Sequence, residues 1–144
     1  MSGPAVFWFR LGAVLAGLAV VTGAFAAHGL EEPLQKLYSG QTRKVLGREI
    51  PAAEKYLADF KTAAEYQMYH SLGLLAVALC PGAWSRGRSL AAWSFLVGIL
   101  LFSGSLYVLV LTGWSKLGMI TPFGGLSFLV GWGALAASVA KSRE

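Results

Sequence analysis

The chain has 144 residues, of which 56% are hydrophobic and only 13% charged, with a formal net charge of +5 and a mean hydropathy of +0.59. A soluble domain carries about 25% charged residues, so water is excluded as the solvent for most of this sequence. The basic residues are spread over loops and ends rather than gathered into a stripe, which excludes nucleic acid as a partner, and a single cysteine, Cys80, excludes an internal disulfide.

Charges leave four long windows empty: Leu11 to Leu30, Tyr66 to Ser85, Ser89 to Ser115 and Leu117 to Ala140. Each is long enough for a helix to cross a bilayer, which takes about 20 mostly apolar residues. The expected fold is all-α. It is a four-helix transmembrane bundle in one domain, with spans at about 9–29, 63–80, 89–112 and 119–140.

In the first span, Ala24-Phe25-Ala26 has the small-x-small form of a signal-peptidase site. The segment before it is poor in positive charge, so residues 11–28 read as a retained span. A hydrophilic loop, 31–61, follows. Its basic residues (Lys36, Arg43, Lys44, Arg48, Lys55, Lys61) are nearly balanced by Glu31, Glu32, Glu49, Glu54 and Asp59. Gly40 and Gly47 punctuate an irregular part, and Pro51 suits the first turn of a helix. Ala53, Tyr56, Leu57, Phe60, Ala64 and Met68 then recur near helical spacing. One extended second helix is predicted from about Pro51 to Leu79, its first turns outside the membrane.

Pro81-Gly82 breaks that helix, and Arg86 and Arg88 mark a tight basic turn. Thr112-Gly113 ends the third span. Trp8, Trp84, Trp93 and Trp114 fall near span ends, as an aromatic belt requires, while Trp132 reads as a packing residue inside span four. The short segments on the side of the two termini carry Arg10, Arg86, Arg88, Lys141 and Arg143. By the positive-inside rule this leans toward cytoplasmic termini.

Laid side by side with alternating direction, the spans collect their polar side chains in the leaflet beneath the long loop. These are His28, Tyr66, Tyr69, His70, Ser103, Ser105, Tyr107 and Thr121. Polar groups at that depth face the bundle interior and find partners. Tyr66 and His70, four apart, share a helix face, which is expected to point inward with His28 close by. Two readings fit: an interhelical hydrogen-bond network that sets helix register, or a site. The site would be a polar cavity for a small molecule or lipid, a proton-active pair, or a haem or metal held by His28 and His70. No other residue supports the haem reading, so no cofactor is expected.

Small-xxx-small pairs (Ala13/Gly17, Ala19/Gly23, Gly23/Ala27, Ser94/Gly98, Gly133/Ala137) permit close helix packing within the bundle, in a homo-oligomer or with a partner. Gly124-Gly125 after Pro122 predicts a close crossing at the start of helix four. No paired intramembrane carboxylates, nucleophile motif, HExxH, CxxC or dinucleotide fingerprint occurs, so no enzyme chemistry is expected.

Four motifs, in order, carry a family resemblance: Gly23 to Leu30 (GAFAAHGL), Thr62 to Leu72 (TAAEYQMYHSL), Leu101 to Tyr107 (LFSGSLY) and Ile120 to Gly125 (ITPFGG). With them the chain, from about Phe9 to Ala137, resembles the transmembrane protein 256 family, also called domain of unknown function 423. The resemblance implies a small four-span membrane protein, bacterial or mitochondrial, with no established activity. The stretch from about Leu37 to Ala53 is longer than that family's usual first loop. The functional expectation is an integral membrane protein in a bacterial cell membrane, acting as a non-enzymatic accessory subunit or a lipid- or partner-binding component. The alternative is a small-solute or proton-linked permeation protein using the polar cluster.

Overall fold

The computed structural model describes residues 1–140; Lys141 and Arg143, which entered the orientation argument, lie outside the described residues. The chain forms α1 (Gly3–His28), α2 (Glu31–Leu37), strands β1 (Thr42–Val45) and β2 (Arg48–Pro51), and α3 (Ala52–Leu79). After these come α4 (Arg86–Gly98), a π-helical segment (Ile99–Gly104), α5 (Ser105–Thr112), a 3-10 turn (Ser115–Met119) and α6 (Thr121–Ala140). Helical structure dominates, and three stretches, Gly3–His28, Arg86–Thr112 and Ser115–Ser138, are long and apolar enough to cross a membrane. The helix α3 is as long as these but more polar.

That polar helix is the hub. Tyr56, Phe60, Ala63, Gln67, His70, Leu74 and Val77 follow one another at three or four residues and are all buried, a continuous helical stripe. α1 packs along α3 on one side, and the α4–π–α5 rod packs on the other. α6 docks against α4 and the π segment. One apolar core joins Trp8, Leu74, Val77, Phe95, Ile99 and Phe128. A second lies at the loop end and joins Ala26, Leu30, Leu34, Tyr38, Tyr56, Phe60, Leu109 and Val110.

Glycine decides how closely α6 can approach. A Cβ on Gly124 would lie 2.5 Å from the backbone nitrogen of Phe102, and one on Gly98 would overlap the Phe128 ring. The close crossing expected at Gly124 is therefore present, and it falls on the π segment. Gly113, at φ 72°, ends α5 in the left-handed conformation, where glycine is the favoured residue. On α1 the packing residues are Gly12, Ala19 and Ala26, which are buried, whereas Ala13 and Gly17 face outward.

The structure departs from the sequence reading in three places. First, the irregular part of the loop is instead a short helix, α2, and an antiparallel hairpin pairing Thr42 with Pro51 and Val45 with Arg48. Its two-residue turn, Leu46-Gly47, has φ of 49° and 82°, the pattern of a type I′ turn. That turn normally announces itself by Asn-Gly; Leu-Gly hides it, and Leu46 is fully exposed at the tip. Second, Trp8 is no belt residue: it is buried, edge-on to the exposed Trp93 at 5.1 Å.

Third, Arg88 is not a free charge of a basic turn but is almost wholly buried. Its Nη2 donates to the carbonyls of Val77 (2.9 Å) and Cys80 (2.6 Å), and its Nη1 to those of Gly82 (2.9 Å) and Ala83 (3.2 Å). The last carbonyls of α3 have no partner within their own helix, and they carry partial negative charge. A planar fork of donors meets that need better than an ammonium would. The Trp84 ring lies 5.1 Å from the guanidinium carbon. The Ser85 hydroxyl caps α4 by accepting from the Arg88 N–H.

Candidate functional site

The eight residues expected to form one cluster fall into separate groups. The first is a hydrogen-bond chain across three helices. Tyr107 on α5 donates its hydroxyl to Gln67 Oε1 on α3 at 3.0 Å, and Gln67 Nε2 donates to the Leu15 carbonyl on α1 at 2.9 Å. Thr22 Oγ1 lies 3.0 Å from the same Tyr107 hydroxyl and donates either to it or to the Leu18 and Ala19 carbonyls. Gln67 and Thr22 were not expected in the cluster. Gln67 stands on the buried stripe of α3, three residues before His70, and that spacing was the available signal.

The second group joins the start of α5, just after the π segment, to α6. Ser105 Oγ lies 3.0 Å from Thr121 Oγ1 and bonds back to the Leu101 carbonyl at 2.6 Å. Ser103, fully buried in the π turn, has no hydrogen-bond partner for its hydroxyl among the described residues.

The third group is aromatic and built on His70. The imidazole lies flat on Phe128, with centroids 3.3 Å apart and planes 7° apart, and Phe95, Tyr66 and Trp132 stand around it within about 6 Å. Its Nδ1 is 2.7 Å from the Tyr66 carbonyl oxygen. A carbonyl oxygen only accepts, so Nδ1 carries a proton, and in the neutral imidazole the lone pair is then on Nε2. The Tyr66/His70 face does not point wholly inward: His70 is 6% exposed, but Tyr66 is 38% and Tyr69 54% exposed.

His28 joins none of these groups. It is exposed at the end of α1, on an open surface cleft with Glu31, Glu32 and Lys36. Gln67 bonds to Leu15, so His70 is level with the early half of α1, and His28 lies about 20 Å away along the helix axes at 1.5 Å per residue. The two histidines are too far apart to ligate one haem or metal. Among the described residues no group of three His, Cys, Asp or Glu side chains gathers as a metal site.

Above the spans, loop 31–61 is a folded head. The Tyr38 hydroxyl, at the end of α2, donates to the Val110 carbonyl of α5 at 2.8 Å. Its ring packs on Tyr56, whose own hydroxyl accepts from Arg43 at 2.8 and 3.0 Å. Burial raises the Tyr38 hydroxyl above the ordinary tyrosine range, as does neighbouring Tyr56, against a smaller opposing pull from Arg43. The Glu32–Lys36 and Lys55–Asp59 ion pairs decorate the outer helix faces.

Comparison with known proteins finds relatives named as membrane proteins. The family model described as "Protein of unknown function (DUF423)" matches residues 22–125. A UPF0382 membrane protein of Staphylococcus epidermidis is 43% identical over 131 residues, 91% of this chain and 93% of its own. The UPF0382 membrane protein YwdK of Bacillus subtilis is 42% identical over 133 residues, covering 91% and 94%. A UPF0382 membrane protein of Haemophilus influenzae is 40% identical over 125 residues, covering 87% and 86%. No solved structure matches.

Proposed function

Since this chain belongs to the DUF423 family of membrane proteins of unknown function, we propose that it is a four-span, non-enzymatic accessory component of a bacterial cell membrane that docks a protein partner on its folded head. The fourth crossing is α3. It packs side by side with α1 and with the α4–π–α5 rod, both long and apolar enough to span. Its polar Gln67 and His70 are nearly buried against neighbouring helices. Both termini lie in the cytoplasm and the head on the opposite face.

One observation carries the docking role: the head is fixed before any partner arrives. Leu30, Leu34, Tyr38 and Tyr56 share a core with Leu109 and Val110 of the third span, and Tyr38 is bonded to the span itself. A preordered surface binds without a large ordering cost. The outward residues include Leu37, Leu46, Lys44, Arg48 and Glu49. The polar chain of Thr22, Tyr107 and Gln67 ends at the Leu15 carbonyl, beside an apolar core of Trp8, Leu74 and Val77. That arrangement supports anchoring over permeation.

The test is crosslinking in native membranes from a photoreactive residue at exposed Arg48, beside the tip, followed by co-purification. A discrete crosslinked partner, lost when the tip is replaced by Asn-Gly, is the expected result. A monomer with no crosslinked species refutes the docking role.

A further inference from the structure

From the aromatic group around His70 we infer a binding site for a neutral, lipid-soluble molecule that carries a flat ring with hydroxyl groups, of the hydroquinone class. The inference rests on α3 lying in the bilayer, as proposed above, but not on the docking role of the head.

The first observation is an unspent acceptor. His70 Nδ1 is committed to the Tyr66 carbonyl, so the neutral ring offers Nε2 as an acceptor, and no described residue bonds to it. Nor is it one of the sealed polar atoms without a partner, which are Arg88 Nε and Ser103 Oγ. The atom therefore reaches the surface of the protein. His70 lies five residues beyond Glu65, the last charge of α3, or about 7.5 Å deeper along the helix. Acyl chains have no donor to offer, and an unpaired polar group at such depth is costly. The missing partner is a hydroxyl donor.

The second observation is that the neighbours of His70 are donors with nothing to donate to. Tyr66 and Tyr69 hydroxyls and the Trp132 indole N–H have no partner among the described residues, and Trp132 is 44% exposed. A ligand for this patch both donates and accepts, as a ring bearing hydroxyl and ether or carbonyl oxygens does. The third is shape. Tyr66 lies nearly parallel to Phe102 at 4.6 Å and His70 nearly parallel to Phe128. These rings belong to α3, the π segment and α6, so the patch spans the seam between helices. Those stacked faces are covered by each other, and the aromatic surface left open is that of Tyr66 and Trp132, 38% and 44% exposed, against which a ring packs edge-on or offset. The ring neighbours of His70 are Tyr66, Phe95, Phe128 and Trp132, none of them charged, so the patch suits a neutral molecule.

The test uses the full chain in phospholipid nanodiscs, labelled with 15N-histidine. Only two histidines are present, and exposed His28 serves as the internal reference. A water-soluble paramagnetic agent comes first. Broadening of His28 but not His70 shows that α3 is in the membrane; broadening of both refutes the span itself and is read separately from ligand binding. Decylubiquinol is then titrated. We expect a saturable shift of the His70 Nε2 resonance with His28 unmoved. Tyr66→Phe and Trp132→Phe should each raise the midpoint by about threefold to tenfold, the worth of one hydrogen bond. Tyr66→Phe keeps its whole ring and removes only the hydroxyl, so it is the decisive variant; Trp132→Phe also trims the indole that packs on Phe95 and His70. No saturable movement at His70 overturns the site. An equal response to monoolein overturns the ring requirement, and an equal response to decylubiquinone overturns the hydroxyl donor to Nε2.

Discussion

The two ends of this helix assembly hold themselves together by opposite means. At the head end the interhelical ties are many and weak: Thr22, Tyr107 and Gln67, the Ser105–Thr121 contact, and Tyr38 on the Val110 carbonyl. At the other end one side chain, Arg88, binds the carbonyls that close α3. A distributed network loses little with any one member, because such bonds average about 0.6 kcal/mol in membranes. A single buried guanidinium has no understudy. The difference teaches that burial of polarity alone does not measure importance; what counts is how many orphaned groups one side chain serves.

The largest effect follows directly. Arg88→Met keeps the bulk of the stem but strands several carbonyls, and should cost about 3 kcal/mol or more, read as a lower unfolding midpoint in detergent. Arg88→Lys should recover only part of this, since an ammonium lacks the fork. If Arg88→Met unfolds like the parent, the contrast between the ends collapses.

Next is Gly124→Ala. Its new Cβ would meet backbone atoms of Phe102 and Leu101, which cannot swing aside as a side chain can. A loss of about 2 kcal/mol is expected, against little or none for Gly125→Ala, where the space is open. Tyr107→Phe comes third, at about 1 kcal/mol for two lost bonds. Comparing it with Gln67→Leu and with the double variant in a thermodynamic cycle tests whether the network is one unit; strict additivity would dissolve it.

The smallest effect has the opposite sign. Leu46→Asn should stabilise the head by about 0.5–1 kcal/mol, because Asn tolerates the left-handed conformation that Leu resists. Amide exchange across β1 and β2 is the measurement, and faster exchange would contradict the reading.

The sequence makes the membrane setting, the run of α3 and the breaks at Pro81-Gly82 and Gly113 legible, because charge gaps and helix punctuation are local signals. The close crossing at Gly124 was legible for the same reason. The hairpin was not, since Leu46 stands where a turn former is expected and only the backbone discloses the left-handed pair. Nor could depth alone sort the polar residues. His28 and His70 were assigned to one leaflet, yet the antiparallel register of α1 on α3 sets them far apart. Gln67 and Arg88 carried the ties because of the helix faces they occupy. His70 and Tyr66 belong to one assembly and Tyr107 to another.

The π turn from Ile99 to Gly104 has one further consequence. Its bonds reach one residue farther than those of an α-helix, so it holds a surplus residue without turning the helix on either side. Loss of one residue there would convert the turn to plain α-helix. Ala92 and Phe95 would still face α3 and α6, and Tyr107 and Val110 would keep their partners. The same loss at Ala91 or Leu109 would swing everything beyond it by about 100°. The α4–π–α5 rod thus contains a slack link near its middle, where the chain's length can change without disturbing what its two ends grip.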